Sequence, residues 1–195
     1  MKAYKDFIVS PIGERYNNSK KVDDKELILN TEIFNHQYVN RLAKVIATPL
    51  LFSSPINVGD EVIVHHNVFR RWHDIKGRER NSRSYLEKDK YLISEDQIYL
   101  YRKENWNAMP GYCFIKPIKN NNKYSNEEEQ RLIGIVKHSD GTFKKEELVG
   151  FRPGIECEDF INGERLYRVK NKFITIKYEY QGDEEEYNPS WSQSG

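Results

Sequence analysis

Four short landmarks occur in the chain and then occur again in the same order. Phe7-Ile8-Val9-Ser10-Pro11-Ile12 returns as Cys113-Phe114-Ile115-Lys116-Pro117-Ile118, an apolar strand that ends at a proline unable to donate to a ladder. Leu42-Ala43-Lys44-Val45-Ile46 returns as Leu132-Ile133-Gly134-Ile135-Val136, and Val58-Gly59 before a strand returns as Val149-Gly150. The run from Ile93 to Leu100 returns as Val169 to Ile176, two short strands around a polar turn. A repeated order of this kind constrains the fold more than composition does, because each copy must be one supersecondary pattern written twice. The boundary falls near Glu104-Asn105-Trp106-Asn107-Ala108-Met109-Pro110-Gly111. That gives a first domain over residues 1–104, a second over 105–181 and an acidic stretch over 182–195. The acidic stretch has too little apolar surface to order itself and is expected to be a flexible tail.

The repeated pattern is a strand pattern. Apolar runs such as Glu61-Val62-Ile63-Val64, Gln97-Ile98-Tyr99-Leu100-Tyr101 and Phe173-Ile174-Thr175-Ile176 are short and separated by turn formers such as Gly59-Asp60. Aromatics make up 13% of the residues, with 13 Tyr and 9 Phe, and ring side chains pack well on a pleated surface. Asn162-Gly163, flanked by Asp159-Phe160-Ile161 and Arg165-Leu166-Tyr167, reads as a hairpin turn, since both residues tolerate the positive φ of a type I′ turn. The best helical stretch, around Tyr38 to Ala47, has β-branched residues and no cap. The fold class is therefore mostly β, as a tandem of two small domains.

Charge excludes a whole-molecule attraction to nucleic acid or to an anionic membrane, because 31 basic and 30 acidic residues leave a net +1. No apolar run is long enough to span a bilayer, and the N-terminal residues lack a signal-peptide core, which predicts a cytoplasmic protein. Cys113 and Cys157 read as free thiols, having neither disulfide nor zinc spacing.

With the strands in place, the first copy resembles the GroES-like co-chaperonin (chaperonin-10) family. The resemblance rests on the opening strand and proline, Val58-Gly59-Asp60-Glu61-Val62-Ile63-Val64, and the closing Lys90-Tyr91-Leu92-Ile93-Ser94-Glu95-Asp96-Gln97-Ile98-Tyr99-Leu100. The second copy matches through Gly134-Ile135-Val136 and the run Ile161 to Val169. The resemblance implies two tandem GroES-like domains, each a small, partly open β-barrel. It implies a homo-oligomeric ring and a polar arm that docks on a chaperonin rim through an apolar tripeptide. Here that tripeptide is Leu27-Ile28-Leu29, at the end of a nearly all-polar run from Gly13 to Glu26. An exposed apolar triplet on a mobile loop becomes ordered when it binds. The alternative for the triplet is a core strand in a long connection.

The chain also departs from the family. The second copy has Lys119 to Gln130 in place of an arm, without an apolar tripeptide, and the roof hairpin is reduced to Pro49-Leu50-Leu51-Phe52-Ser53-Ser54-Pro55. These departures leave a second reading open, a structural or adaptor protein, such as one of a virus particle, that keeps the barrel without the chaperonin contact.

Other constellations point to little chemistry. Arg70, Arg71, Arg78 and Arg80 around Trp72 are the candidate nucleic-acid contacts, but Asp74, Glu79 and Glu87 dilute their field. His65, His66 and His73 have no partner at zinc spacing, and strand alternation would send His65 and His66 to opposite faces. No metal or cofactor is expected. There is no nucleophile elbow and no phosphate-cradling glycine loop, and Glu156 and Glu158 disfavour the Cys157 thiolate. The sequence predicts a protein that is not an enzyme.

Overall fold

The structure, a computed structural model, describes residues 2–16, 19–22, 25–28, 38–122, 124–179, 182 and 184–188. The chain divides into two compact units, Met1–Trp106 and Asn107–Gly195.

The first unit runs β1 (Phe7–Pro11), β2 (Ser19–Val22), β3 (Lys25–Ile28), β4 (Leu42–Ala47), β5 (Glu61–Val64), β6 (Arg71–His73), β7 (Glu79–Asn81), β8 (Tyr85–Glu87), β9 (Lys90–Ile93), β10 (Ile98–Arg102) and the boundary strand β11 (Trp106–Ala108). Its main sheet has the order β11-β10-β5-β4-β1-β9-β8, while β2-β3 and β6-β7 are separate two-stranded hairpins. Alternation explains the faces: along β4, Ala43, Val45 and Ala47 are buried while Lys44 and Ile46 are exposed.

The second unit runs β12 (Tyr112–Lys119), β13 (Glu129–Ser139), β14 (Leu148–Phe151), β15 (Cys157–Ile161), β16 (Glu164–Lys170) and β17 (Ile174–Tyr178). Its sheet order is β15-β16-β12-β13-β14-β17. Substituting β8, β9, β1, β4, β5 and β10 for these in turn reproduces the first unit's order, so both units carry one six-strand topology. Both also place a one-turn 3-10 helix before the last strand, at Glu95–Gln97 and at Asn171–Phe173.

Register carries the correspondence to single residues. Val9 pairs with Val45 and Tyr91, and Ile115 pairs with Val136 and Tyr167. The first strand has its bulge between Ile8 and Val9 in one unit and between Phe114 and Ile115 in the other. A one-residue slip would turn a strand's apolar set outward, so matched bulges mark a shared core face. The core obeys this. Cys113, Ile115, Val136, Val149, Phe151 and Val169 form one buried cluster. Their counterparts Phe7, Val9, Val45, Val62, Val64 and Ile93 are all buried too. Size is exchanged within the set: Phe7 and Val64 in the first unit become Cys113 and Phe151 in the second, a swap that keeps core volume roughly constant. Burial of Cys113 pushes its thiol up to about 12, which keeps it protonated and inert.

The structure corrects several expectations. Hydrogen bonds among the described residues close neither main sheet into a barrel; both are open sheets. The landmark Leu42 to Ile46 is one residue out of step, because Ala43 faces Pro11 as Gly134 faces Pro117, which makes Ile133 the partner of Leu42. The Val149-Gly150 landmark lies inside β14. The counterpart of Gly59 is Glu146: each donates its N–H to the equivalent β4 or β13 carbonyl, of Val45 or Val136, and each has positive φ. The stretch around Tyr38 to Ala47 contains a strand and no α-helix. His65 and His66 lie beyond the end of β5, so alternation does not apply, and their rings stack with centroids 4.2 Å apart. Asn162 and Gly163 form the expected turn, with φ of 51° and 82°.

Within the acidic stretch expected as a flexible tail, residues 185–187 pack on the second unit, while residues 189–195 lie outside the described residues. Glu186 bridges Ile118, Lys119 N donates to Glu185 O at 2.7 Å, and Tyr187 N donates to Pro117 O at 2.8 Å. The cause is an open edge: β16 accompanies β12 only as far as Ile115, and the residues after Pro117 are left to another strand. Ion pairs of Lys119 with Glu185 and of Lys137 with Glu186 add to it. Among the described residues, no helix is long and apolar enough to cross a membrane.

Candidate functional site

A cleft of about 1020 Å³ opens in the second unit, lined by Glu127 to Glu129, Arg131, Leu132, Phe151, Pro153, Gly154, Glu156, Glu158, Arg165, Tyr167 and Tyr187. Its origin is a difference between the two copies. In the first unit the connection from β5 to β8 spans residues 65–84 and folds back, burying Val68 and Phe69. Phe69 packs edge-on against Tyr91, with centroids 4.8 Å apart. In the second unit the same connection, β14 to β15, is only residues 152–156, and Tyr167, the counterpart of Tyr91, instead meets Phe151 of β14 edge-on, with centroids 6.1 Å apart. The shortened loop leaves the cleft.

One wall is β13, whose register against β12 jumps between Gly134 and Glu129. Leu132 sits in this bulge with φ of 62°, a left-handed conformation that costs a leucine energy, and its side chain lines the cleft.

The floor is held by Arg165, which is buried on β16. Its Nη1 donates to Glu129 Oε2 at 2.5 Å, its Nε donates to Glu158 Oε2 at 2.9 Å, and its Nη2 donates to the Tyr167 hydroxyl. Tyr167 in turn donates to Glu129 Oε1 at 2.7 Å. Burial opposes the charged guanidinium, but the hydrogen bonds to Glu129 and Glu158 outweigh it and hold Arg165 above its usual range. Burial, then the acceptor Glu129, pushes the Tyr167 hydroxyl up as well. The guanidinium lies 4.8 Å from the Tyr167 ring centroid and 5.9 Å from that of Tyr187. In the first unit Arg15 takes the same place over Tyr91, at 5.5 Å, although it comes from the chain after β1. The two copies thus supply one stacked cation from different positions.

Behind the cleft Lys116 is buried, and Asn188 Oδ1 accepts from its Nζ at 2.7 Å and from the Arg165 N–H at 2.8 Å. Burial, above all, lowers the pKa of Lys116. The walls carry five glutamates against two arginines, and Leu132, Phe151 and Pro153 give an apolar component. This surface suits a cationic, partly apolar segment.

The residues singled out from the sequence lie elsewhere. Leu27 and Ile28 are on β3, where they face Lys20 and Ser19 of β2 in a two-stranded hairpin; Leu29 lies outside the described residues. Arg70, Arg71, Arg78 and Arg80 belong to the β6–β7 hairpin and its approach. Arg71 pairs with Glu79 at 3.1 Å and lies over the Tyr16 ring, and Arg80 pairs with Asp74 at 3.1 Å. The hairpin thus neutralises two of its own cations, which leaves less charge for phosphate.

The cleft was hidden from sequence reasoning because Glu129, Glu158 and Arg165 meet only across three strands. The usable signal was the length difference between residues 65–84 and 152–156 once the copies are aligned. The chain matches no protein-family model, no curated protein and no solved structure.

Proposed function

We infer that the chain is a non-catalytic, co-chaperonin-like protein of the cytoplasm, built from two GroES-like domains of the small, partly open barrel type. It assembles into a ring and docks on a chaperonin rim through Leu27-Ile28-Leu29, without a cofactor. The observation that carries this reading is the six-strand order present in both units, with a long excursion between β1 and β4 in the first only. That excursion follows the opening strand, as the docking arm does in the family that the sequence resembles, and it holds the apolar triplet beyond a polar run.

The second reading, an adaptor or structural protein of a virus particle without chaperonin contact, has its own support. In the second unit the strands on either side of the missing arm pair with each other up to a short connection, with Lys119 facing Glu129 and Asn120 N donating to Glu128 O at 2.8 Å. Where a roof hairpin would stand, Leu50 and Leu51 are exposed in a short turn.

Mixing the full chain with a chaperonin and nucleotide tests the choice. A complex is expected, and replacing Leu27, Ile28 and Leu29 together by serine weakens it at least about tenfold, the scale set by losing an anchor side chain. Binding that survives the triple replacement discards the arm. Co-assembly with coat or tail proteins, without effect on chaperonin ATPase, selects the adaptor.

A further inference from the structure

The β6–β7 hairpin presents a rigid knob. At its tip Asp74 Oδ1 accepts the N–H groups of Lys76 and Arg78, each at 2.9 Å, while Arg80 Nε donates to Asp74 Oδ2 at 3.1 Å. Asp74 N donates to Arg78 O at 2.9 Å, and Gly77 takes the positive φ of 72° that the turn needs. The backbone hydrogen bond from Arg78 is the main reason the Asp74 carboxyl stays below its usual range. This cage holds Ile75 with its side chain wholly in solvent, at 103% relative exposure, just before exposed Lys76 and Arg78 in the same turn. An isolated apolar side chain on a loop is ordinary. An isoleucine fixed in a preorganised turn that also carries two exposed cations loses little entropy on docking, which is the advantage of a preformed binding element.

The second-unit cleft is its complement in three respects. Leu132 and Pro153, beside the largely buried Phe151, offer apolar contact for Ile75. Glu156 and Glu127 at the rim offer carboxylates for Lys76 and Arg78, Glu127 being held only by an exposed pair with Arg131 at 3.4 Å. Charge balance agrees, since residues 70–83 carry six cations and two anions, while the cleft carries five carboxylates and two guanidiniums. The hairpin and the cleft also arise from one difference between the copies: the connection that is long in the first unit and makes the knob is short in the second and leaves the cleft.

We propose that the Ile75 tip of one copy docks in the Arg165 cleft of a second copy, joining molecules head to tail. A contact between two different patches is heterologous, and repeated it closes into a ring or grows as a filament. The proposal rests on, and deepens, the ring-forming part of the reading above by naming the surfaces that meet. It fails separately from chaperonin docking, since the Leu27-Ile28-Leu29 variant should still self-associate.

Sedimentation velocity of the full chain over a range of concentrations tests it. The native chain is expected to self-associate, more weakly as salt rises, because exposed charges are screened. Reversing the tip with Lys76→Glu and Arg78→Glu, or the rim with Glu127→Lys and Glu156→Lys, should each weaken association at least about tenfold. Mixing the two reversed proteins should restore a heterologous complex. Ile75→Ser should weaken association at low and high salt alike, the mark of an apolar contact. Circular dichroism should be unchanged in all variants, whose altered side chains are exposed or at the cleft rim. A chain that stays monomeric, or association indifferent to both reversals, overturns the proposal. So does tip reversal that abolishes oligonucleotide binding while leaving self-association intact.

Discussion

Replacing Gly134 by alanine is expected to destabilise the second unit by about 3 kcal/mol, at the upper end of the range for overpacking a core. A Cβ at this position would lie 2.4 Å from the carbonyl oxygen of Lys116 and 2.6 Å from Ile115 Cγ2. The first of these atoms is backbone in the facing strand, and moving it means opening the β12–β13 ladder at its centre. In a unit of ~90 residues the loss corresponds to a fall in melting midpoint of roughly 12–24 °C. Differential scanning calorimetry of the full chain measures it, and the effect should be confined to the transition of the second unit. Two comparisons sharpen the test. The counterpart Ala43 is buried and accepted in the first unit, so the demand for glycine is local to β12. Gly150→Ala should cost less, because its nearest neighbour, at 3.0 Å, is the edge of the Tyr178 ring, which can move. A Gly134→Ala protein as stable as the parent would contradict the register given for β12 and β13.

The second large effect is expected from Arg165→Met. The change keeps much of the side-chain volume but removes the cation that both Glu129 and Glu158 contact, at 2.5 and 2.9 Å. Leaving one side of a buried ion pair without its partner costs 3–5 kcal/mol; with the two carboxylates about one-fifth exposed, a loss of about 3 kcal/mol is expected. Arg165→Lys should recover little, because a single ammonium cannot reach two carboxylates and a tyrosine hydroxyl as a planar fork does. Adding Glu129→Gln and Glu158→Gln to Arg165→Met should recover most of the loss, since no uncompensated charge then remains. Urea denaturation of the four proteins reads these differences. If Arg165→Met alone were neutral, the guanidinium would not be the floor of the cleft.

Comparison of sequence and structure shows why some landmarks were readable and others slipped. The Pro11 and Pro117 landmarks align without offset because proline marks a fixed point in the ladder, and the closing pair aligns because each 3-10 turn has the same length. The middle landmarks failed for physical reasons. Residues 42–46 and 132–136 are apolar enough that two registers satisfy the same pattern, and only cross-strand pairing separates them. The turn before β14 uses Glu146 in the left-handed region, at φ of 65°, so the glycine that announces this turn in the first copy has no sequence echo in the second. The acidic run after Gly182 has the composition of a free tail. Residues 185–187 within it pair along the edge that β12 leaves open from Pro117 on, which composition alone does not reveal. The cleft depends on Glu129, Glu158 and Arg165 meeting from three strands and on a loop that is short only by comparison with its counterpart.

Backbone cross-strand NOEs in the isotope-labelled full chain test the duplication most directly. The expected result is contacts joining Val9 to Val45 and Ala43 to Val62 in the first unit, and a parallel set joining Ile115 to Val136 and Gly134 to Val149 in the second. A second set displaced by one residue, or strands of one unit interleaved with those of the other, would contradict a single strand pattern folded twice.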